Sequence, residues 1–583
     1  MLKFNIKQYF NTIVQKLSLS FKRFPIPITM AIATVITLIM QNHDFPSGSV
    51  PWDTYRRLAM TFALGIPLFL VVQVLFERIK AYKVSTKLII EAAGIAFLAL
   101  YYLFFIKDMT MVSTTRYIAI TLSFYFTFAF IPYFIKRRGF EVYIIKLITD
   151  FFITYLYAVI LFLGLAAILF TIETLFSIDV ASELYLDIWL IVAGIFAPSY
   201  FLSTLPLSNQ DMSKENYSKV IKVLLLYIIM PLLVVYTVIL YVYFGRIILT
   251  REWPEIRISH LVLWYGLIST FVVFLVYPIR ENNKWARAFT SNLPRAILPL
   301  IMMMLIALGI RINAYGVTEN RHFVLMAALW VFGNMTYLAI KRSPKTIVLF
   351  ISIAIIFIVS VIGPINAYTI SKYSQNSRFE MLLKENNLLA NEELQNAPTD
   401  LSEEVKKELS SIVLYFDHNH RIGDLKYVPE DMNLKELEEK LDFEIRDYYW
   451  DFPRKYNSYS LENSIDLYEI GDYDYFIDFS FYNRSSRPYE GNIEISYDED
   501  GKELRIIKEG KLLYSKDLEE IALAIHEKSN GEYNQSKETM TFIDESQQIK
   551  VQLITKNMGL SANSNGDTLN LDFMEFYLFV KIK

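Results

Sequence analysis

Two short segments hold most of the side chains able to do chemistry. The first runs Arg311-Ile312-Asn313-Ala314-Tyr315-Gly316-Val317-Thr318-Glu319-Asn320-Arg321. Guanidinium forks match phosphate oxygens, so Arg311 and Arg321, with Tyr315 and Glu319 beside them, could receive an anionic lipid headgroup or a polyprenyl phosphate. The plainer reading pairs Arg with Glu across a helical hairpin, fixing a loop in which Gly316 supplies a positive-φ turn. The second segment, from Thr171 to Asp187, has no base but carries Glu173, Asp179, Glu183 and Asp187. With Asp44 and Asp53, these are the carboxylates available as a base or metal ligand for a headgroup or glycosyl transfer. A loop that short leaves little room for a substrate cleft.

Other clusters read as structure. Asp417-His418-Asn419-His420 with Asp424 sets oxygen and imidazole groups close together, but it lies at a helix end, where histidines at i and i+2 face apart, so a plain turn is expected. Asp498-Glu499-Asp500-Gly501 lacks the later ligands of a calcium loop and reads as a hairpin turn. The run Tyr448, Tyr449, Trp450, Phe452, Tyr456 and Tyr459 could stack sugars or lie on lipid headgroups, and equally could be core. With 0 cysteines, thiol chemistry and disulfides are excluded. GxSxG, HExxH, Walker and dinucleotide motifs are absent from the sequence, so no cofactor and no metal are called for.

The elements that must position these groups are set by composition. At 54% apolar, 15% aromatic and 20% charged, the chain is too apolar for an ordinary soluble protein and too ordered in pattern for disorder. Eleven stretches are long and apolar enough to cross a bilayer, beginning near Phe24 to Met40 and ending near Thr346 to Gly363. Loops of one parity, with the basic leader, carry 23 Lys and Arg against 9 in the other, so retention of positive charge puts the amino terminus in the cytoplasm. An odd count then threads everything after Gly363 to the outside. Residues 371–583 have 25 basic and 43 acidic side chains, a net of −18, whereas the first 370 residues net +15. Within the spans Glu91 is the one carboxylate set well in from an interface, and pairing with Lys87 at the basic rim accounts for it. Pro132, Pro198, Pro231 and Pro299 are expected to kink their helices.

Two passages have more pattern than packing requires. One runs from Ile172-Glu173-Thr174-Leu175-Phe176 through Leu186-Asp187-Ile188-Trp189 to Phe196-Ala197-Pro198-Ser199-Tyr200-Phe201-Leu202. The other runs from Trp285-Ala286-Arg287-Ala288-Phe289 through Leu293-Pro294 to the Arg311–Arg321 segment. Both resemble the bacterial integral membrane family catalogued as domain of unknown function 4153, over roughly residues 20 to 365. The resemblance implies a polytopic fold and imports no reaction.

After Pro364 the composition turns polar. A helix is expected from Leu401 through Phe416, and alternation at Tyr475 to Phe481, Ile493 to Tyr497, Leu504 to Ile506, Leu512 to Tyr514, Ile549 to Leu553 and Leu569 to Phe573 predicts strands. Leu518, Ile521, Ala522 and Ile525 mark an interrupting helix. The expected organisation is a basic leader (1–23), a transmembrane all-α bundle of about 11 helices (24–365), a linker and helix (366–400), and an acidic extracytoplasmic α+β domain (401–583). The function expected is a multi-pass protein of the bacterial cytoplasmic membrane. It is expected to be non-enzymatic, and to anchor and present an outer sensing or interaction domain. Its partners are the bilayer and envelope components, with no nucleic acid. The alternatives are a transporter or flippase for a lipid-linked or amphiphilic substrate, and an outward-facing transferase.

Overall fold

The computed structural model describes residues 6–44, 51–79, 83–134, 139–176, 180–206, 217–250, 256–391, 393–395, 401–445, 456–462, 468, 470–479, 493–497, 502–529, 533–562 and 569–583. The chain divides into two compact units, Met1–Thr399 with Tyr415–Asp442, and Asp400–Leu414 with Phe443–Lys583.

The first unit is a helical bundle. Its helices are α1 (Ile6–Arg23), α2 (Pro25–Asp44), α3 (Trp52–Arg78), α4 (Val84–Leu100), α5 (Met111–Phe130), α6 (Phe140–Phe176), α7 (Glu183–Ile191), α8 (Ala197–Thr204), α9 (Lys219–Leu224) and α10 (Met230–Thr250). They continue with α11 (Ile256–Val276), α12 (Lys284–Tyr315), α13 (Glu319–Ile340), α14 (Ile347–Val361) and α15 (Ala367–Glu385). Each of the eleven apolar stretches falls in one of these helices or a continuous pair of them. Among the described residues 9 helical segments are long and apolar enough to cross a membrane. The two stretches left over are α5, which carries Arg116 and several hydroxyls, and α14, at 15 residues only about 22 Å long. The count of eleven crossings is therefore not reached on length and composition.

Prolines explain the irregular turns. Pro198 and Pro231 each follow a π-helical segment, Val192–Phe196 and Leu225–Ile229, where a widened turn absorbs the missing N–H and the ring's clash with the preceding carbonyls. Pro132 instead sits in the tight turn Ile131–Tyr133 that closes α5. Pro299 lies inside α12. The largest core joins α10 to α14 with the end of α5 and the start of α6. At its centre the rings of Phe140, Phe274 and Phe350 meet pairwise at 5.0 to 5.8 Å, in tilted or edge-on contacts worth more than their area alone. Glu91 lies 3.5 Å from Lys87, the pairing expected from the sequence.

Beyond α14 the first unit continues through α15 and the two-residue strands β1 (Leu389–Ala390) and β2 (Glu393–Leu394). Next come the end of α16 (Glu403–Asn419) and α17 (Leu434–Leu441), the latter opened by an Asn433–Glu436 capping box.

The second unit is β-rich. Strands β3 (Tyr456–Leu461), β4 (Tyr475–Phe479), β5 (Ile493–Tyr497), β6 (Glu503–Lys508) and β7 (Lys511–Asp517) precede α18 (Leu518–Lys528). Strands β8 (Asn534–Gln535), β9 (Thr541–Glu545), β10 (Ile549–Ala562) and β11 (Leu569–Ile582) follow it. The larger sheet has the order β4-β11-β10-β3-β8, with β9 also on β10; β3 and β8 are parallel and the other pairs antiparallel. A second sheet, β5-β6-β7, turns at Glu509-Gly510, both at positive φ as a tight hairpin requires. Helix α18 buries Leu518, Ile521, Ala522 and Ile525, its expected apolar face, in the core of this unit. Asp400, Asp498 to Gly501 and the aromatics from Tyr448 to Phe452 lie outside the described residues.

Candidate functional site

The most patterned stretch of the sequence forms the hairpin between α12 and α13. Helix α12 stops because Gly316, at φ 68°, turns out of the helical path while its N–H still bonds the Ile312 carbonyl at 2.9 Å. A Cβ there would meet Arg378 Cδ at 2.8 Å and Gln375 Nε2 at 2.9 Å, so the backbone angle favours glycine and any side chain would have to displace those of α15. The crowding comes from α15, which clasps the loop. Ser374 Oγ accepts from the Val317 N–H at 2.8 Å, Gln375 Nε2 donates to the carbonyls of Tyr315 and Val317, and Arg378 donates to the Tyr315 carbonyl at 3.0 Å.

The charged residues divide their work differently from the Arg–Glu pairing considered above. Arg321 folds back onto the loop carbonyls of Tyr315 at 3.0 Å and Gly316 at 2.8 Å, its guanidinium over the Tyr315 ring. Glu319 turns inward and is buried. One of its oxygens accepts from Tyr415 Oη at 2.7 Å and from His420 Nε2 at 2.7 Å, and the phenol and imidazole are themselves 3.1 Å apart. Burial, and then the Glu319 carboxylate it donates to, push the Tyr415 phenol well above its ordinary value. His420 lies at the bend that ends α16, where a plain turn was expected, and its side chain is 2% exposed. Arg311 is half-buried one turn before the loop, and Tyr315 has its ring exposed, so these two stay at the rim.

Next to this clamp, Tyr368 of α15 shares a 2.6 Å hydrogen bond with Thr115 of α5, and Arg116 stacks between the rings of Tyr368 and Phe105. Glu380, one of α15's outer residues, accepts from Lys384, Lys426 and Tyr427, which together hold its carboxyl down at about 2. Asp424 pairs with Lys372 at 2.6 Å.

Two of the loop carboxylates, Asp187 and Glu173, are likewise occupied. Asp187, inside α7 and buried, accepts from Asn42 at 3.0 Å and from His43 at 2.6 Å, tying the end of α2 to α7. Glu173 accepts from Tyr185 at 3.2 Å. Asp53 is exposed, and Asp179 lies outside the described residues. Among the described residues no three carboxylate or imidazole groups are placed to hold a metal ion. Sequence reasoning found Glu319 and Asp187 and missed their partners Tyr415, His420 and His43. The partners are about a hundred residues or more away, so no local spacing could announce them.

Two apolar cavities open between the spans. One, of about 600 Å³, is walled by α2, α3, α5, α6 and the α7–α8 segment; the other, of about 820 Å³, by α5, α6, α11, α13 and α14. Tyr125, Leu147, Ile148, Phe151 and Tyr155 line both. The close approach of α2 to the first cavity's π segment depends on Gly194, whose Cβ would fall 2.4 Å from Val35 Cγ2.

A profile of the family described as "Domain of unknown function (DUF4153)" matches residues 28–394. That range covers the bundle from the first turn of α2 onward, the clasping helix α15 and the β1–β2 pair, and leaves out α1. The chain is 24% identical over 372 residues to the uncharacterized protein PM1469 of Pasteurella multocida (strain Pm70), a match covering 62% of this chain and 61% of that relative. The match thus spans about three fifths of the relative's own length. No solved structure matches the chain.

Proposed function

This chain belongs to the family described as domain of unknown function 4153, and from that premise we propose that it is a non-enzymatic integral protein of the bacterial cell envelope that anchors and presents an outer sensing or interaction domain. In this reading the bundle crosses the cytoplasmic membrane eleven times, with α5 and α14 completing the nine longer or more apolar spans. The amino terminus is cytoplasmic and the residues after Gly363 are outside, as the unequal loop charge favours. Arg311 and Tyr315, at the outer rim, face the headgroup layer and receive its anionic groups.

The observation that carries the reading is the Glu319–Tyr415–His420 clamp together with the α15 clasp. A simple tether needs no buried carboxylate. Here a burial that would otherwise cost several kcal/mol is offset by two donors drawn from the segment that follows the spans, so that segment is fixed to the hairpin. Protease shaving of intact spheroplasts should cleave within residues 443–583 and leave the basic leader intact; cleavage only after lysis would end the reading. A chain lacking residues 443–583 should fail to complement every phenotype of the full deletion, whereas full complementation would remove the presenting role.

The apolar cavities favour a second reading, a transporter or flippase for a lipid-linked or amphiphilic substrate. Scrambling or uptake in proteoliposomes no faster than in empty vesicles would exclude it.

A further inference from the structure

We propose that the paired cavities astride α6 are the seat of one bilayer phospholipid, each cavity taking one of its acyl chains. The chemistry of the walls selects hydrocarbon. Among the described residues, no charged side chain lines either cavity. The two threonines present turn their hydroxyls to carbonyls of their own helices, Thr34 to Met30 at 2.8 Å and Thr270 to Gly266 at 2.7 Å, and so show methyl groups to the space. Tyr155 directs its hydroxyl at the Ala193 carbonyl, 3.5 Å away in the π-helical segment. A polar cargo would lose its hydration in these slots and gain little in exchange, whereas a chain of methylenes loses nothing.

Size and setting point to the same occupant. Volumes of about 600 and 820 Å³ lie within the range that holds extended ligands. Left empty, walls of this size would forfeit dispersion contacts along their whole length. Phe152 lines the first cavity and is strongly exposed, as are Leu156 and Ile160 one and two turns further along the same face of α6, so on a helix read as a span this wall borders the lipid phase. Helix α6 has few buried residues beyond Thr154 and Ala158 in its second half, and packs there chiefly against the α7–α8 segment. Two slots that share Tyr125, Leu147, Ile148, Phe151 and Tyr155 in their lining suit a ligand with two tails joined at one end; a single isoprenoid chain would fill one and leave the other void.

The test uses the full chain in nanodiscs of phosphatidylethanolamine and phosphatidylglycerol, spiked with phosphatidylethanolamine carrying a diazirine at its acyl terminus, with adducts mapped by mass spectrometry. Adducts on Phe151 and Phe271 are expected at least five-fold above those on Leu232 and Val235, the lipid-facing residues of α10. Leu190→Trp, which fills the first cavity, should remove adducts from Phe201 and spare Phe271; Ile353→Trp, which fills the second, should do the reverse. Where either variant fails to stay monodisperse, the wild-type chain decides by native mass spectrometry after detergent exchange, with one retained phospholipid per chain expected. Equal labelling along α6 and α10, no retained lipid, or displacement by polyprenyl phosphate at equal mole fraction would each overturn the proposal.

Discussion

The α12–α13 hairpin and the β10–β11 ribbon are both long two-element turns of chain, yet they are stabilised by opposite means. In the hairpin, a three-residue loop is gripped by side chains: Ser374, Gln375 and Arg378 of α15 and Arg321 of α13 on its backbone, with Tyr415 and His420 on the Glu319 carboxylate that follows it. In the ribbon, backbone pairs backbone from Ile549 opposite Ile582 to Ala562 opposite Leu569, and the fully buried side chains Leu553, Phe576 and Leu578 are apolar. Polar side chains enter the ribbon at Thr555, fully buried in mid-strand, and at Asn557, which donates to Glu575 across the pair. The hairpin is thus held by side chains gripping its backbone and its carboxylate, with Tyr415 and His420 lying beyond the range of the family profile, whereas the ribbon rests chiefly on its backbone ladder and apolar packing.

The sharpest way to break this contrast is to remove one group from each region. Glu319→Leu keeps bulk but takes from the buried Tyr415 hydroxyl and His420 imidazole the carboxylate they share, and should cost about 3–5 kcal/mol, as breaking a buried pair does. It would be read as a lower melting temperature in nanodiscs and as faster proteolysis within residues 400–445. Phe576→Ala in the ribbon, where the ring is 0% exposed, should cost a similar 3–5 kcal/mol or so through the cavity it leaves. If Glu319→Leu were neutral while Phe576→Ala was not, the clamp would be a bystander. The next effect is Gly316→Ala, expected at about 1–3 kcal/mol because the backbone stands at φ 68° and the new methyl meets Arg378 and Gln375. An unchanged melting temperature would mean that α15 can move aside.

The two regions also differ in what their sequences reveal. The spans are legible because a bilayer imposes length and apolarity on each helix separately. Strands β10 and β11 were visible only at Ile549 to Leu553 and Leu569 to Phe573, although each strand runs for 14 residues. Irregularities between Thr555 and Asn557 and between Gly559 and Leu560 shift the register, so alternation fails where the strand continues. The hairpin was legible as a motif and illegible as a mechanism. Arg311, Tyr315, Glu319 and Arg321 could be named, and Gly316 could be assigned its turn, but an Arg–Glu pair is the local solution and the fold adopts a distant one. That solution depends on α15 and the end of α16 returning to the loop, which no spacing within residues 311–321 encodes.

A smaller effect separates the regions by pH. Glu380, at the outer edge of the clasping helix, has its carboxyl lowered to about 2 by hydrogen bonds from Lys384, Lys426 and Tyr427. A depressed carboxylate contributes stability that is complete above the unfolded-state value, near 4.5, and is lost as pH falls from there toward 2. Wild type should therefore lose more melting temperature than Glu380→Gln between pH 5 and pH 3, where the folded carboxylate still outcompetes the unfolded one, with the roughly tenfold-per-unit sensitivity of a single site. Parallel curves would mean that these contacts are already broken in solution.

The smallest effect is expected at the ribbon's margin. Lys583 reaches Glu545 at 2.6 Å and the Ser546 carbonyl at 3.0 Å, and lowers the Glu545 carboxyl below its usual range. Both side chains are substantially exposed, so water and salt screen the pair and two flexible chains must be ordered to form it. Lys583→Ala should leave the melting temperature of the chain unchanged within error at 0.15 M salt, a concentration that already limits such attraction to roughly 8 Å. The backbone bond from the Lys583 N–H to the Gln548 carbonyl survives the substitution, so the end of β11 stays paired. A clear loss would show that the ribbon, like the hairpin, is held by a specific side chain, and the contrast between polar grip and backbone ladder would have to be abandoned for this end of the molecule.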